Sequence, residues 1–207
     1  MSVAPLSSLV TSTRIDLLRH GEVEGGNRFR GSQDDPLTAK GWHQMQIRCQ
    51  KRKWDAVVTS PLSRCQAFAK TLAMHQSLPL IVDADWREIH FGEWEGLKAE
   101  QIEQAYPEAL EHFYQNPSAF TPPGGEHYEI FATRIQRGWE RLMTEFTDKQ
   151  VLLVTHAGPI RALFSQLLAI PIQQSLHIEV GHACLTRFSC FHDGENRFMQ
   201  LNFHNPD

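Results

Sequence analysis

The chain has 207 residues, 41% of them hydrophobic, with 20 basic and 24 acidic side chains and a net charge of −4. This length and hydrophobic share suit one domain with a sizeable core, and the absence of a long basic run argues against nucleic acid or an anionic membrane as a partner. No apolar run reaches the roughly 18 residues of a membrane span, and the four cysteines, at 49, 65, 184 and 190, lack C-x-x-C spacing, which predicts reduced thiols in the cytoplasm.

Residues 1–13 have neither a basic start nor a signal-like apolar stretch and read as a loose tail, leaving 14–207 as the single domain. The apolar run Ile15-Asp16-Leu17-Leu18 predicts a strand ending at Arg19-His20-Gly21-Glu22. A histidine beside a permanent cation is costly to protonate, and a neutral imidazole is a nucleophile, so the pair points to attack on an anionic centre such as phosphorus. Residues 21–37 are aperiodic and rich in Gly, Asn and Asp, as in a binding loop. Thr38 is placed to cap a helix with the apolar stripe Trp42, Met45 and Cys49, and Lys51-Arg52-Lys53 stands at that helix's C-terminal end.

Trp54 to Thr59 predicts a second strand, with Ser60 as N-cap and Pro61 as first residue of a helix that carries Arg64 on its first turn. Leu62, Cys65, Ala69 and Leu72 give that helix its inward face, and Leu80-Ile81-Val82 predicts another strand. Ile102, Ala105, Ala109, Leu110 and Phe113 trace a helical stripe broken at Pro107, and residues 121–125 form a loop between helical patterns. Phe131, Ile135, Trp139, Leu142 and Phe146 recur at helical spacing before the strand Val151 to Thr155. That strand ends at His156-Ala157-Gly158, and Pro159 opens a helix whose stripe is Ile160, Leu163, Phe164, Leu167 and Leu168. Finally, two apolar stretches around Asp193-Gly194 predict a hairpin, with Cys184 and Cys190 in the core. These elements predict an α/β fold: three α/β/α layers around a mostly parallel sheet with an antiparallel edge. Ligands of such sheets bind outside the carboxyl ends of the strands, so Arg19, His20, Arg64 and His156 are expected to converge in one pocket.

Six stretches, in order, carry a resemblance. They are Leu18-Arg19-His20-Gly21-Glu22; Gly31 through Asp34-Asp35-Pro36-Leu37-Thr38 to Gly41; Ser60 to Cys65; Arg87 to Gly96; Pro123-Gly124-Gly125-Glu126; and Val154 to Arg161. With them the chain resembles the histidine phosphatase superfamily, also called phosphoglycerate mutase-like, and within it the α-ribazole phosphatase-like branch. The resemblance implies that fold and a phosphomonoesterase working through phosphohistidine on His20, with a carbonyl such as that of Gly21 fixing the ring's tautomer. It implies that Arg19 and Arg64 clamp the phosphoryl oxygens, that His156 donates to the transferring group, and that Glu88, rather than Glu93 or Glu95, acts as general acid and then base. For that role the Glu88 pKa must be raised, with Trp86, Phe91 and Trp94 as the expected desolvating neighbours.

The chain departs from the family's Arg-His-Gly-Glu-Thr-x-x-Asn pattern. Val23 replaces the Thr, Gly26 stands where Asn is expected, and Asn27 is displaced by one residue, so Asn27 or the nearby Arg30 is expected to serve the phosphate, together with Gly21 and Ala157. His127 replaces the usual Ser after Pro-Gly-Gly-Glu and is expected to face the substrate. No HExxH-like spacing occurs and the implied chemistry uses no metal or cofactor. The expected partner is a small phosphorylated metabolite, with α-ribazole 5′-phosphate of cobalamin biosynthesis the compound to which the branch points. The alternatives are a phosphoglycerate mutase, which returns the phosphoryl group to a sugar acid, and a non-catalytic phospholigand-binding protein.

Overall fold

The central strands are apolar on both faces because both faces are covered. In the computed structural model, which describes residues 11–192 and 197–206, six strands run in the order β3-β2-β4-β1-β5-β6. They are β1 (Thr11–Arg19), β2 (Ala56–Thr59), β3 (Leu80–Val82), β4 (Gln150–Thr155), β5 (Leu185–His192) and β6 (Arg197–His204). The first four are mutually parallel, and β5 and β6 pair antiparallel at one side.

Successive side chains of a strand point to opposite faces. Ile15, Leu17, Val58, Val151 and Leu153 therefore join one core cluster, with α5 (Tyr128–Glu145) and α6 (Ala157–Leu168). Leu18, Val57, Leu152 and Val154 join the other, with α1 (Ala39–Cys49) and α2 (Ser63–Gln76). This is the three-layer α/β/α architecture. A third, separate cluster of Trp94, Ile102, Ala109 and Phe113 is built on α3 (Ala99–Ala105) and α4 (Ala109–Gln115), which the break at Pro107 divides.

Several boundaries differ from the sequence reading. β1 takes in Thr11–Thr13, pairing them with β5, so the tail cannot extend to residue 13; residues 1–10 lie outside the described residues. The helix after β2 starts at Ser63, with Leu62 as N-cap and no capping side chain, so Ser60 and Pro61 precede it. Ser60 Oγ accepts from Leu62 N at 3.3 Å and lies 2.8 Å from His156 Nε2, while the amide of Ser63, the first helical residue, is met by the Asp34 carboxylate at 2.7 and 2.9 Å. Pro159 is the third residue of α6, not the first. Thr38 does cap α1, accepting from Gly41 N at 2.9 Å. The expected turn at Asp193-Gly194 lies outside the described residues, but the two strands that it would join are paired.

Two features were not legible in the sequence. Asp16 is buried mid-strand because Arg187 meets its carboxylate at 2.7 and 2.8 Å and Trp54 Nε1 at 2.9 Å, partners that come from remote strands and loops. A short helix, α7 (Ile172–Ser175), follows α6.

Candidate active site

Strand register brings the site together. β1 and β4 are parallel neighbours with Arg19 opposite Thr155, so His20 and His156 each stand one residue beyond the carboxyl ends of adjacent strands. His20 N donates to Thr155 O at 3.0 Å, which fixes the first step out of the strand. β2 flanks β4 on its other side with Thr59 opposite Val154, and delivers Ser60 and then Arg64 to the same edge. The two imidazoles meet edge to face, with ring centroids 5.3 Å apart.

A cavity of about 810 Å³ opens above this edge, lined by Arg19, His20, Asn27, Arg30, Glu88 and Ala157 among the expected residues. His20 Nδ1 lies 2.8 Å from Gly21 O. A carbonyl only accepts, so Nδ1 carries the ring's proton and Nε2 keeps a lone pair. Burial holds the His20 pKa well below its ordinary 6.5, with Arg19 and Arg64 adding repulsion. The imidazole is thus neutral at physiological pH.

Arg64 and His156 do not border the cavity; they form a fully buried layer beneath it. Their polar atoms meet partners within the protein. Arg64 donates to Gly31 O and Gln33 O at 2.9 and 2.7 Å, and through Nε to His156 Nδ1 at 3.3 Å. A guanidinium cannot accept, so His156 keeps its proton on Nε2 and donates it to Ser60 Oγ at 2.8 Å. Burial, then Arg64, holds His156 well below its ordinary pKa too.

Arg30 borders the cavity but is already paired, with Asp35 at 2.5 Å and Glu24 O at 2.8 Å, and serves the loop's own conformation. Asn27 is exposed on the cavity rim. His127 is the exposed N-cap of α5 and does not line the cavity; its neighbour Tyr128 does.

Glu88 is held by backbone amides: Ile89 N donates to Oε1 at 3.0 Å and Gly158 N, at the start of α6, to Oε2 at 3.1 Å. A Cβ on residue 158 would stand 2.0 Å from Glu88 Oε1, so only glycine admits this approach. Of the expected apolar neighbours, Phe91 lines the cavity, while Trp94 sits in the third cluster. The segment is fastened by Arg134 of α5, which donates to the carbonyls of Asp85, Arg87 and Glu88 at 2.7–2.9 Å and pairs with Glu126. Sequence reasoning missed Arg134, whose signal was only a charge at a position facing inward on an amphipathic helix. It also missed His182, at the cavity mouth, 6.0 Å from the His20 ring and lowered to about 4 by burial and Arg19. Among the described residues no cluster of His, Cys, Asp or Glu is arranged to hold a metal ion.

These buried neutral histidines make the fold acid-sensitive. The unfolded chain protonates its histidines near pH 6.5, while the folded state refuses those protons at His20 and His156, where Arg19, Arg64, Arg134 and His182 face them. Stability is therefore complete above about pH 6.5 and is lost as pH falls below it, at up to about 2.7 kcal/mol per pH unit for the two groups together. Denaturant titrations at pH 7, 6 and 5 measure the slope. Equal stability at pH 5 and pH 7 would refute it.

A sequence profile of the histidine phosphatase superfamily (branch 1) matches residues 15–204. The chain belongs to that superfamily. Over 200 residues this histidine phosphatase superfamily member is 32% identical to a bifunctional protein of Mycobacterium tuberculosis, covering 93% of the chain but spanning only 54% of that relative's length, about half. The adenosylcobalamin/α-ribazole phosphatase of Escherichia coli is 29% identical, with 83% of the chain and 87% of the relative covered. Among solved structures, the native mycobacterial glucosyl-3-phosphoglycerate phosphatase superimposes with a TM-score of 0.83 at 29% identity, covering 95% of this chain and all of that one.

Proposed function

We propose that the chain is a cofactor-independent phosphomonoesterase that hydrolyses a small phosphorylated metabolite through a phosphohistidine intermediate on His20. The observation that carries this reading is the His20 ring itself: proton fixed on Nδ1 by Gly21 O, lone pair on Nε2, bordering a cavity that also holds Arg19 and Glu88. Nε2 attacks phosphorus and the P–O bond to the leaving group breaks, the alkoxide taking a proton from Glu88. Water then attacks the phosphohistidine, giving its proton to the Glu88 carboxylate, and inorganic phosphate leaves with His20 restored. Arg19 meets the phosphoryl oxygens, since a guanidinium fork matches phosphate geometry. Arg64 and His156 act from below, keeping the pocket floor positive and His20 neutral. Gly21, Asn27 and Ala157 complete the phosphate surroundings, and Arg30 shapes the loop.

The outer wall speaks to the leaving group. Phe29, Phe91, Phe113, Tyr114, Tyr128 and Phe131 line the cavity, which exceeds what a phosphoryl group and a short carbon chain fill. An organic portion with an apolar or planar face suits that wall. α-Ribazole 5′-phosphate, toward which the likeness to the Escherichia coli phosphatase points, has such a face and is the first compound to assay. The compact chain and large cavity favour hydrolysis over phosphoglycerate mutase chemistry, and the presence of both His20 and Glu88 favours an enzyme over a non-catalytic binding protein. The four cysteines are free and buried, as suits the cytoplasmic setting we propose, and no described helix is long and apolar enough to cross a membrane.

A panel of metabolite phosphomonoesters assayed for released phosphate, with and without EDTA, tests the function. Turnover of at least one ester at equal rate in both conditions is the expected result. Absence of turnover across the panel, or its loss with EDTA, counts against the reading.

A further inference from the structure

Three guanidiniums that line the cavity lack an acidic partner among the described residues: Arg28, exposed at the rim, and the more deeply set Arg19 and Arg161. Arg30, Arg134 and Arg187 each face an aspartate or glutamate at 2.5–2.8 Å, and that carboxylate accounts for their charge. Arg19 and Arg161, both lining the cavity, pair with no carboxylate among the described residues. Each is tethered by a terminal nitrogen to the same stretch of backbone: Arg19 Nη1 to Val180 O at 2.7 Å and Arg161 Nη2 to Ile178 O at 3.3 Å. In each the Nε is buried with no hydrogen-bond acceptor. The two guanidiniums thus keep charge and donor capacity that no group among the described residues takes up.

One phosphoryl group beside His20 accounts for Arg19, its chain neighbour. Arg161 comes from a different element, α6. It lies one helical turn, about 6 Å of rise, beyond Ala157 on α6, and its tether is two residues, at most about 7 Å of chain, from that of Arg19. Tyr114, Ile172 and Leu176 line the same cavity. The two cations also repel: burial lowers the Arg19 pKa most, Glu88 opposes this, and Arg161 lowers it further. An anion at Arg161 relieves that repulsion.

We propose that Arg161 forms a second anion subsite, and that the natural substrate is a phosphomonoester whose leaving group carries a carboxylate. A carboxylate matches a single guanidinium fork in charge and geometry, whereas a second phosphoryl group would call for more donors than Arg161 offers. The inference rests on the phosphatase reading of the same cavity and deepens it. It also separates this substrate from α-ribazole 5′-phosphate, whose only anion is the phosphoryl group itself.

The test uses matched pairs that differ in the carboxylate: O-phosphoserine against phosphoethanolamine, 3-phosphoglycerate against glycerol phosphate, and carboxyphenyl phosphates against phenyl phosphate. Fructose 1,6-bisphosphate against fructose 6-phosphate reads a second phosphoryl group instead. For the wild type, kcat/KM is expected to favour the carboxylated member of at least one pair by about tenfold or more, the scale of a hydrogen bond to a charged group. In Arg161→Gln that ratio should fall to about one, with the loss concentrated on the acid, and Arg161→Lys should keep part of it. Arg28→Gln, at the exposed cavity rim, should leave the ratio as it is. No preference in the wild type, a preference for the bisphosphate alone, equal loss on both members in Arg161→Gln, or a collapse in Arg28→Gln instead would each overturn the assignment. Calorimetry of the same compounds with His20→Ala protein reads the preference in binding, without turnover. Binding that favours the carboxylate, together with an inactive wild type, would remove the phosphatase reading and leave the subsite standing.

Discussion

His20→Ala should lower turnover by about a thousandfold or more, since removing a nucleophile deletes the covalent route and leaves only binding and charge stabilisation. The wild-type protein, quenched during turnover, should carry a phosphoryl group that is labile in acid and stable in base, and the variant should carry none. The argument depends on which nitrogen is free. Gly21 O ties down Nδ1–H, so the bond to phosphorus forms at Nε2, and the buried ring, between Arg19 and Arg64, does not lose its lone pair to a proton at neutral pH. His20→Ala should fold, because the site lies beyond the strand end and outside the three apolar clusters. Full activity in the variant, or a phosphoprotein signal that persists in it, would remove the nucleophile from His20 altogether.

Glu88→Gln is expected to slow alkyl phosphates by about a hundredfold or more, the usual scale of general acid catalysis, and p-nitrophenyl phosphate far less, because that leaving group needs little protonation. The amide keeps the size of the carboxylate and its single oxygen can still accept from Ile89 N or Gly158 N, while Arg134 goes on holding the Glu88 carbonyl, so the segment should keep its place. Gly158→Ala provides an independent route to the same signature by thrusting a methyl group into the position of Oε1. Glu93→Gln and Glu95→Gln should act evenly on both substrates. Glu95 accepts from Ser32 N and Gln33 N, which is a loop-fastening role, and Glu93 faces the Tyr106 hydroxyl. Equal losses on both substrates for Glu88→Gln, or leaving-group selectivity in either of the other two, would show that the acid is a different residue.

The elements of the sheet were legible because their signals are local: Leu152 and Leu153 read as strand from their own run, and Thr38 as a cap from its place before an amphipathic stripe. His20 and His156 were legible as strand-end residues for the same reason, and parallel pairing of β1 with β4 then supplied their contact. The partners of each charge were not legible. Whether Arg64 faces substrate or the carbonyls of Gly31 and Gln33 depends on how an aperiodic loop folds over it, and no short pattern encodes that. Arg30 looked free until Asp35 was seen to reach it, and Arg134 looked like one more helix charge until three carbonyls converged on it. The start of α2 was misplaced because Ser-Pro is a strong local capping signal, whereas the amide of Ser63 finds its acceptor in Asp34, a residue of a remote loop.

The third apolar cluster has no buried member on any strand of the sheet. Its Phe113, with Phe29 and Phe91 packed against it, supplies much of the cavity's aromatic wall, while His20, Arg19 and Glu88, the proposed nucleophile, cation and acid, are fastened to strand ends and helix starts. What the enzyme recognises and what it does to it are thus heritable as separate pieces. Substitutions around α3 and α4 can reshape the wall without disturbing the register that aligns His20, so a lineage built on this frame is free to change its diet while its chemistry stays fixed.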